Sequence, residues 1–96
     1  MSEASAIQIL VPTPLRRYTN GEAKVGASGA TVGEVLTDLD ARYPGLKERV
    51  CDPDGEIRRF VNVFVNGENV RKLQGAATPL KGGDEVGIIP AMAGGA

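Results

Sequence analysis

Apolar positions recur along this chain with two periods, and the switches between them mark its elements. From residue 7 the run Ile-Gln-Ile-Leu-Val places Ile7, Ile9 and Val11 on one face of an extended strand, which Pro12 and Pro14 stop in a turn. Leu15 and Tyr18 fall in the connection, Asn20-Gly21 is a turn signal, and residues 22–27 return as the second strand of a long-looped hairpin. Then the period changes. Val32, Val35, Leu36, Leu39 and Tyr43 recur at helical spacing, which predicts an amphipathic helix over residues 31–43. Thr31 and Glu34 have the spacing of a capping box, Asp38 and Arg42 that of an i,i+4 ion pair, and Pro44-Gly45 ends the helix.

The second half is more broken. Residues 46–50 allow one helical turn, and Asp52-Pro53-Asp54-Gly55 is dense in turn formers. Over residues 60–65, Phe60, Asn62 and Phe64 alternate with Val61, Val63 and Val65, the pattern of a central strand with the valines on its core face. Asn66-Gly67 is a two-residue turn into a short strand over 68–71, and Leu73 and Leu80 are expected to pin the polar connection that follows. Gly82-Gly83-Asp84 turns into a last strand over 85–89, with Val86 and Ile88 on one side and Gly87 and Ile89 on the other, and Pro90 ends the ladder. Residues 91–96 have too little apolar bulk to pack, so the expected organisation is one domain over 1–90 and a flexible tail over 91–96. This order of elements implies an α+β fold with one main helix laid across one sheet.

Composition narrows the chemistry. Eleven Lys and Arg stand against twelve Asp and Glu, and basic pairs such as Arg16-Arg17, Arg58-Arg59 and Arg71-Lys72 are scattered. Nothing follows a phosphate backbone, and four aromatics without Trp offer no set of stacking platforms, so no nucleic-acid partner is expected. The start Met-Ser-Glu-Ala-Ser lacks the basic residues of a secretory signal, and no apolar run is long enough for a membrane span, which predicts a cytoplasmic protein with no membrane partner. Cys51 is the single cysteine, which excludes an intrachain disulfide and a thiolate metal cage, and it reads as a small packing residue rather than a sulfur-relay nucleophile. There is no His, which removes the commonest general base and metal ligand together. No catalytic residue and no metal site are expected.

The ordered set of Thr31-Val32-Gly33-Glu34-Val35-Leu36, Arg42-Tyr43-Pro44-Gly45, Phe60 to Val70, and Leu80 followed by Gly82 to Pro90 and Gly94-Gly95 resembles the MoaD/ThiS sulfur carriers over nearly the whole chain. The resemblance implies a β-grasp (ubiquitin-like) fold, with the main helix packed across a mixed four- to five-stranded sheet. Pro12 to Arg16 and Asp52 to Asn62 are most similar to the subfamily that serves a cysteine synthase. The implied activity is that of a protein substrate rather than an enzyme. The carboxyl of Gly95 is adenylated by an E1-like activating enzyme, converted to a thiocarboxylate and used by a sulfur-accepting synthase, and a metallopeptidase releases the product. ATP and pyridoxal phosphate then belong to the partners, with no cofactor bound here.

Glycines at 94 and 95 suit a tail that must thread a narrow channel, because they lack Cβ. Family members generally end at the second glycine, whereas Ala96 follows it here. Either a peptidase trims the chain between Gly95 and Ala96, or the end has been altered; trimming is the working expectation. Phe64 and Ile89, on the sheet face away from the helix, and Met92 in the tail are the candidate partner interface, although the loop from Leu73 to Leu80 is an alternative cover for the first two. The same features also fit the small subunit of molybdopterin synthase and a ubiquitin-like modifier joined to lysines.

Overall fold

The computed structural model describes residues 6–90 of the chain. Its strands are β1 (Ala6–Leu10), β2 (Lys24–Ser28), β3 (Val61–Val65), β4 (Glu68–Asn69) and β5 (Glu85–Pro90), with helices α1 (Val32–Arg42) and α2 (Leu46–Val50) between β2 and β3. They form one five-stranded sheet in the order β2-β1-β5-β3-β4, in which β1 and β5 are parallel and the other pairs antiparallel. The β-grasp arrangement expected from the resemblance is therefore present, with the larger of the two strand numbers.

Alternation decides which face is covered. Ile7 and Ile9 of β1, Val25 and Ala27 of β2, Val61, Val63 and Val65 of β3, and Val86 and Ile88 of β5 are all buried on the helix side. Against them α1 lays Val32, Val35, Leu36 and Leu39, each fully buried, with Tyr43 partly buried at the end of the stripe. Burying one such aliphatic side chain contributes about 1.5–3 kcal/mol, so this layer carries the fold. The start of α1 is fixed by a cap displaced by one residue from the usual box. Thr31 Oγ1 accepts from the Glu34 N–H at 3.2 Å, while Glu34 Oε1 accepts at 2.8 Å from the N–H of Ala30 rather than that of Thr31. Gly29 is required beside it, since a Cβ there would lie 2.7 Å from the Val35 nitrogen.

Four expectations need correction. The segment after Pro12 is a 3₁₀ helix over Thr13–Tyr18 rather than a simple turn, because Pro14 supplies a helical φ near its start and the Leu15 side chain drops into the core. The strand expected over 68–71 stops at Asn69, whose side chain caps the Arg71 N–H at 2.9 Å and turns the chain into a 3₁₀ helix over Val70–Lys72. Leu73 is no anchor, being 41% exposed; fully buried Val70 takes that role, and Leu80 packs against the core as expected. The last strand runs to Pro90 rather than Ile89, so Pro90 is itself the final pair of the ladder, opposite Val61.

The turn before β5 is held by the buried Asp84 carboxylate and the exposed Asn66 amide. Asp84 accepts from the Lys81 N–H at 3.0 Å and from the Asn66 amide at 3.1 Å, and Asn66 in turn accepts from the Glu85 N–H at 3.0 Å. Asn66 has φ 51 and Gly67 φ 89, the left-handed pair that the β3–β4 turn needs. These bonds hold the Asp84 carboxyl below its usual range, the Lys81 N–H contributing most and the Asn66 amide next. Asp38 is likewise lowered, chiefly by the Ser28 N–H and also by Arg42. A folded pKa below the unfolded one gives stabilisation that is present above about pH 4 and lost as pH falls through the folded value. Asp84→Ala should cost about 1–3 kcal/mol in urea unfolding at neutral pH, and Asp84→Asn should flatten the loss of stability on acidification.

Candidate functional site

β5 occupies the middle of the sheet and ends at Pro90, so it determines where the remaining residues leave the domain. Met92, Gly94, Gly95 and Ala96 lie outside the described residues. Chain length alone sets a limit: Gly95 is five residues beyond Pro90, and at a maximum of about 3.3–3.6 Å per residue it can lie no farther than roughly 18 Å from that strand end.

The face of the sheet opposite α1 carries the other parity of each strand. Register aligns Leu10 of β1, Gly87 of β5, Phe64 of β3 and Asn69 of β4 in one row, with Ile89 in the next row beside Asn62. Ile89 is 53% exposed, whereas Phe64 and Leu10 are half-buried. A Cβ at Gly87 would meet nothing within 4 Å, so this row has a shallow backbone hollow between two apolar side chains. The loop from Leu73 to Leu80 does not cover it. That loop lies on the α1 side, where Val32 donates to the Thr78 carbonyl at 3.1 Å, Leu80 donates to the Ala30 carbonyl at 2.8 Å, and Gly33 approaches Ala76.

Two features here escaped the sequence. Leu10 shows its role only once β1 is known to pair with β5, because within Ile-Gln-Ile-Leu-Val it looks like one more strand hydrophobe. Phe60, 68% exposed, stands just outside the Val61–Pro90 pair and thus at the root of the tail. The turn that presents it is clamped by Arg71, whose guanidinium donates to the carbonyls of Arg58 at 2.7 Å and Val61 at 2.6 Å.

The rest of the surface offers little reactive chemistry. A cleft of about 550 Å³ lies by α2, and its charges balance: Lys47, Arg49 and Arg58 face Asp40, Glu48 and Asp52. Asp40 there accepts from the backbone N–H groups of Gly45 and Lys47, and Arg58 donates to the Glu48 carbonyl at 2.8 Å. Tyr18 accepts from Arg49 Nε at 2.7 Å, a bond that lowers its pKa. Cys51 is buried, and burial pushes its thiol pKa up, which disfavours the thiolate a nucleophile needs. Arg16 likewise donates to a backbone carbonyl, that of Val11, at 3.1 Å. Among the described residues no cluster of His, Cys, Asp or Glu could hold a metal ion, and no helix is long and apolar enough to cross a membrane.

Comparison with known proteins gives this geometry a context. The ThiS family matches residues 9–95, a span that includes the diglycine. The sulfur carrier protein CysO of Mycobacterium tuberculosis is 48% identical over 91 residues, covering 93% of this chain and 98% of that protein. Small archaeal modifier protein 3 of Haloferax volcanii is 50% identical over 66 residues, covering 69% of this chain and 71% of that one. Among solved structures, the BexX/CysO complex of Amycolatopsis orientalis matches with TM-score 0.88 and 43% identity, over 93% of this chain and 99% of the matched one. With a family match over residues 9–95 and a relative 48% identical over nearly the full length of both chains, the chain belongs to the ThiS family.

Proposed function

We propose that this protein is a sulfur carrier whose Gly95 carboxyl holds sulfide as a thiocarboxylate and delivers it to a biosynthetic enzyme that makes cysteine. The observation that carries this reading is the family match running through residue 95, together with near full-length likeness to a protein named as a sulfur carrier. A carboxylate is a poor electrophile. Attack of the Gly95 carboxylate on ATP gives an acyl adenylate and pyrophosphate; sulfide then adds to the carbonyl and expels AMP, leaving the thiocarboxylate. The chain supplies the carboxyl and the reach, and ATP sits on an E1-like activating enzyme.

Gly95 is followed by Ala96, so its carboxyl is tied up in a peptide bond until a peptidase, in this reading a metallopeptidase, hydrolyses it. The family match stops on the residue that this cleavage would expose. Phe64, Ile89 and Met92 are assigned to the partner surface, joined by Leu10 around the Gly87 hollow. An apolar face next to the strand that leads to the tail lets a partner grip the domain while the tail enters its active site. The Amycolatopsis orientalis relative was solved together with BexX, which supports a protein partner for this chain. The acceptor is placed on a pyridoxal-phosphate synthase. Attachment to lysines is a second reading, favoured by the likeness to a small archaeal modifier protein.

The form ending at Gly95, incubated with ATP, sulfide and its activating enzyme, should gain the mass difference between sulfur and oxygen, while the form retaining Ala96 should not; an unchanged intact mass for both refutes the proposal. Ile89→Arg should leave the fold intact and lower the rate of thiocarboxylate formation at subsaturating carrier by roughly tenfold or more, as expected for charge placed in an apolar contact.

A further inference from the structure

An edge strand exposes a row of unpaired N–H and C=O groups to which another chain can add. β2 is such an edge. It pairs with β1 over five residues without a bulge, contains no Pro, and carries only Gly26 and Ser28 beyond Lys24 on its outer parity. Val11 donates to the Ala23 carbonyl, so the odd-numbered groups of this strand turn toward β1 and those of Gly26 and Ser28 turn outward.

Two consecutive outward groups of this edge, the Gly26 C=O and the Ser28 N–H, are already taken. The Gly26 carbonyl accepts from Arg42 Nη2 at 2.6 Å, and the Ser28 N–H donates to Asp38 Oδ2 at 3.0 Å. The same two side-chain atoms bond each other at 2.9 Å. A carbonyl at one residue and an N–H two residues on are the pair that a single residue of an added parallel strand would satisfy, and an antiparallel strand needs both groups as well. One turn of α1 therefore presents an acceptor and a donor at strand spacing. Arg42 also lies over the Tyr43 ring, 5.8 Å from its centre, and the Ser28 N–H is the main cause that keeps the Asp38 carboxyl ionised.

We propose that the Asp38–Arg42 pair stands in for one residue of a neighbouring strand and keeps the β2 edge from pairing with a second copy of this chain. A second copy is the occupant because every molecule carries the same edge, and β2 against β2 is a self-complementary two-fold contact. At the far side of the sheet the edge strand β4 is only two residues long and the Arg71 guanidinium takes the outward Val61 carbonyl, so β2 is the longer edge, and copies joined through it close as a two-fold dimer. An exposed i,i+4 ion pair adds little stability by itself, which leaves the edge bonds as the substantive role of these two side chains.

The test uses the full chain in sedimentation velocity over a concentration series, with far-UV circular dichroism to establish folding. The parent should remain monomeric, and the Asp38→Ala/Arg42→Ala double variant should dimerise at least about tenfold more tightly. Arg42→Met keeps a helix-forming residue and an aliphatic stem while losing the guanidinium; it should shift the same way, and it decides the matter should the double variant not fold. Adding Ser28→Pro, which removes the outward N–H, should return either variant to monomer. Folded variants that stay monomeric throughout, or dimers that persist with Ser28→Pro, overturn the proposal.

Discussion

Everything in this structure follows from having one helix to cover one sheet. The stripe of Val32, Val35, Leu36 and Leu39 buries one face, and among the described residues no second layer buries the other. β5 is held in the centre of that sheet, parallel to β1 and antiparallel to β3, so its direction is fixed on both sides. A central strand with an apolar face beside it fits the proposed role, in which the domain is held by a partner that acts on its last residues.

The two ends of β5 are treated differently. At its start, Asp84 and Asn66 tie two turns together through hydrogen bonds, and the Gly83 N–H donates to the Ala6 carbonyl, which draws the first strand to the same end. At its far end two apolar groups stand in the open, Ile89 on the strand itself and Phe60 on a turn that Arg71 clamps through backbone carbonyls. Rigidity is thus concentrated where the strand begins, and access is kept where it leaves. The guanidinium groups of Arg42 and Arg71 recur in this scheme as closures for backbone that the sheet leaves unpaired.

Elements with an unbroken period were legible in the sequence. The α1 stripe, the valine parity of β3 and the Val86/Ile88 parity of β5 all place the buried residues correctly, because burial on one face imposes a fixed spacing. What failed depended on local competition or on long-range pairing. Asn69 caps a 3₁₀ turn instead of continuing β4, Leu73 yields its anchoring role to Val70, and Leu10 becomes part of the outer face only through its neighbour Gly87, 77 positions along the chain. Of the candidate site, Phe64 and Ile89 lie on the face expected of them, whereas the diglycine was visible as a motif and given meaning by the family to which the chain belongs.

The central claim is that the domain exists to present a sulfur-loaded Gly95. An intact mass spectrum of the protein purified from its own cells under conditions that preserve thiocarboxylates tests it most directly. The account predicts a species that ends at Gly95, part of it carrying sulfur in place of one oxygen. A population that retains Ala96 throughout, with no sulfur-bearing form under conditions that demand cysteine synthesis, would contradict it.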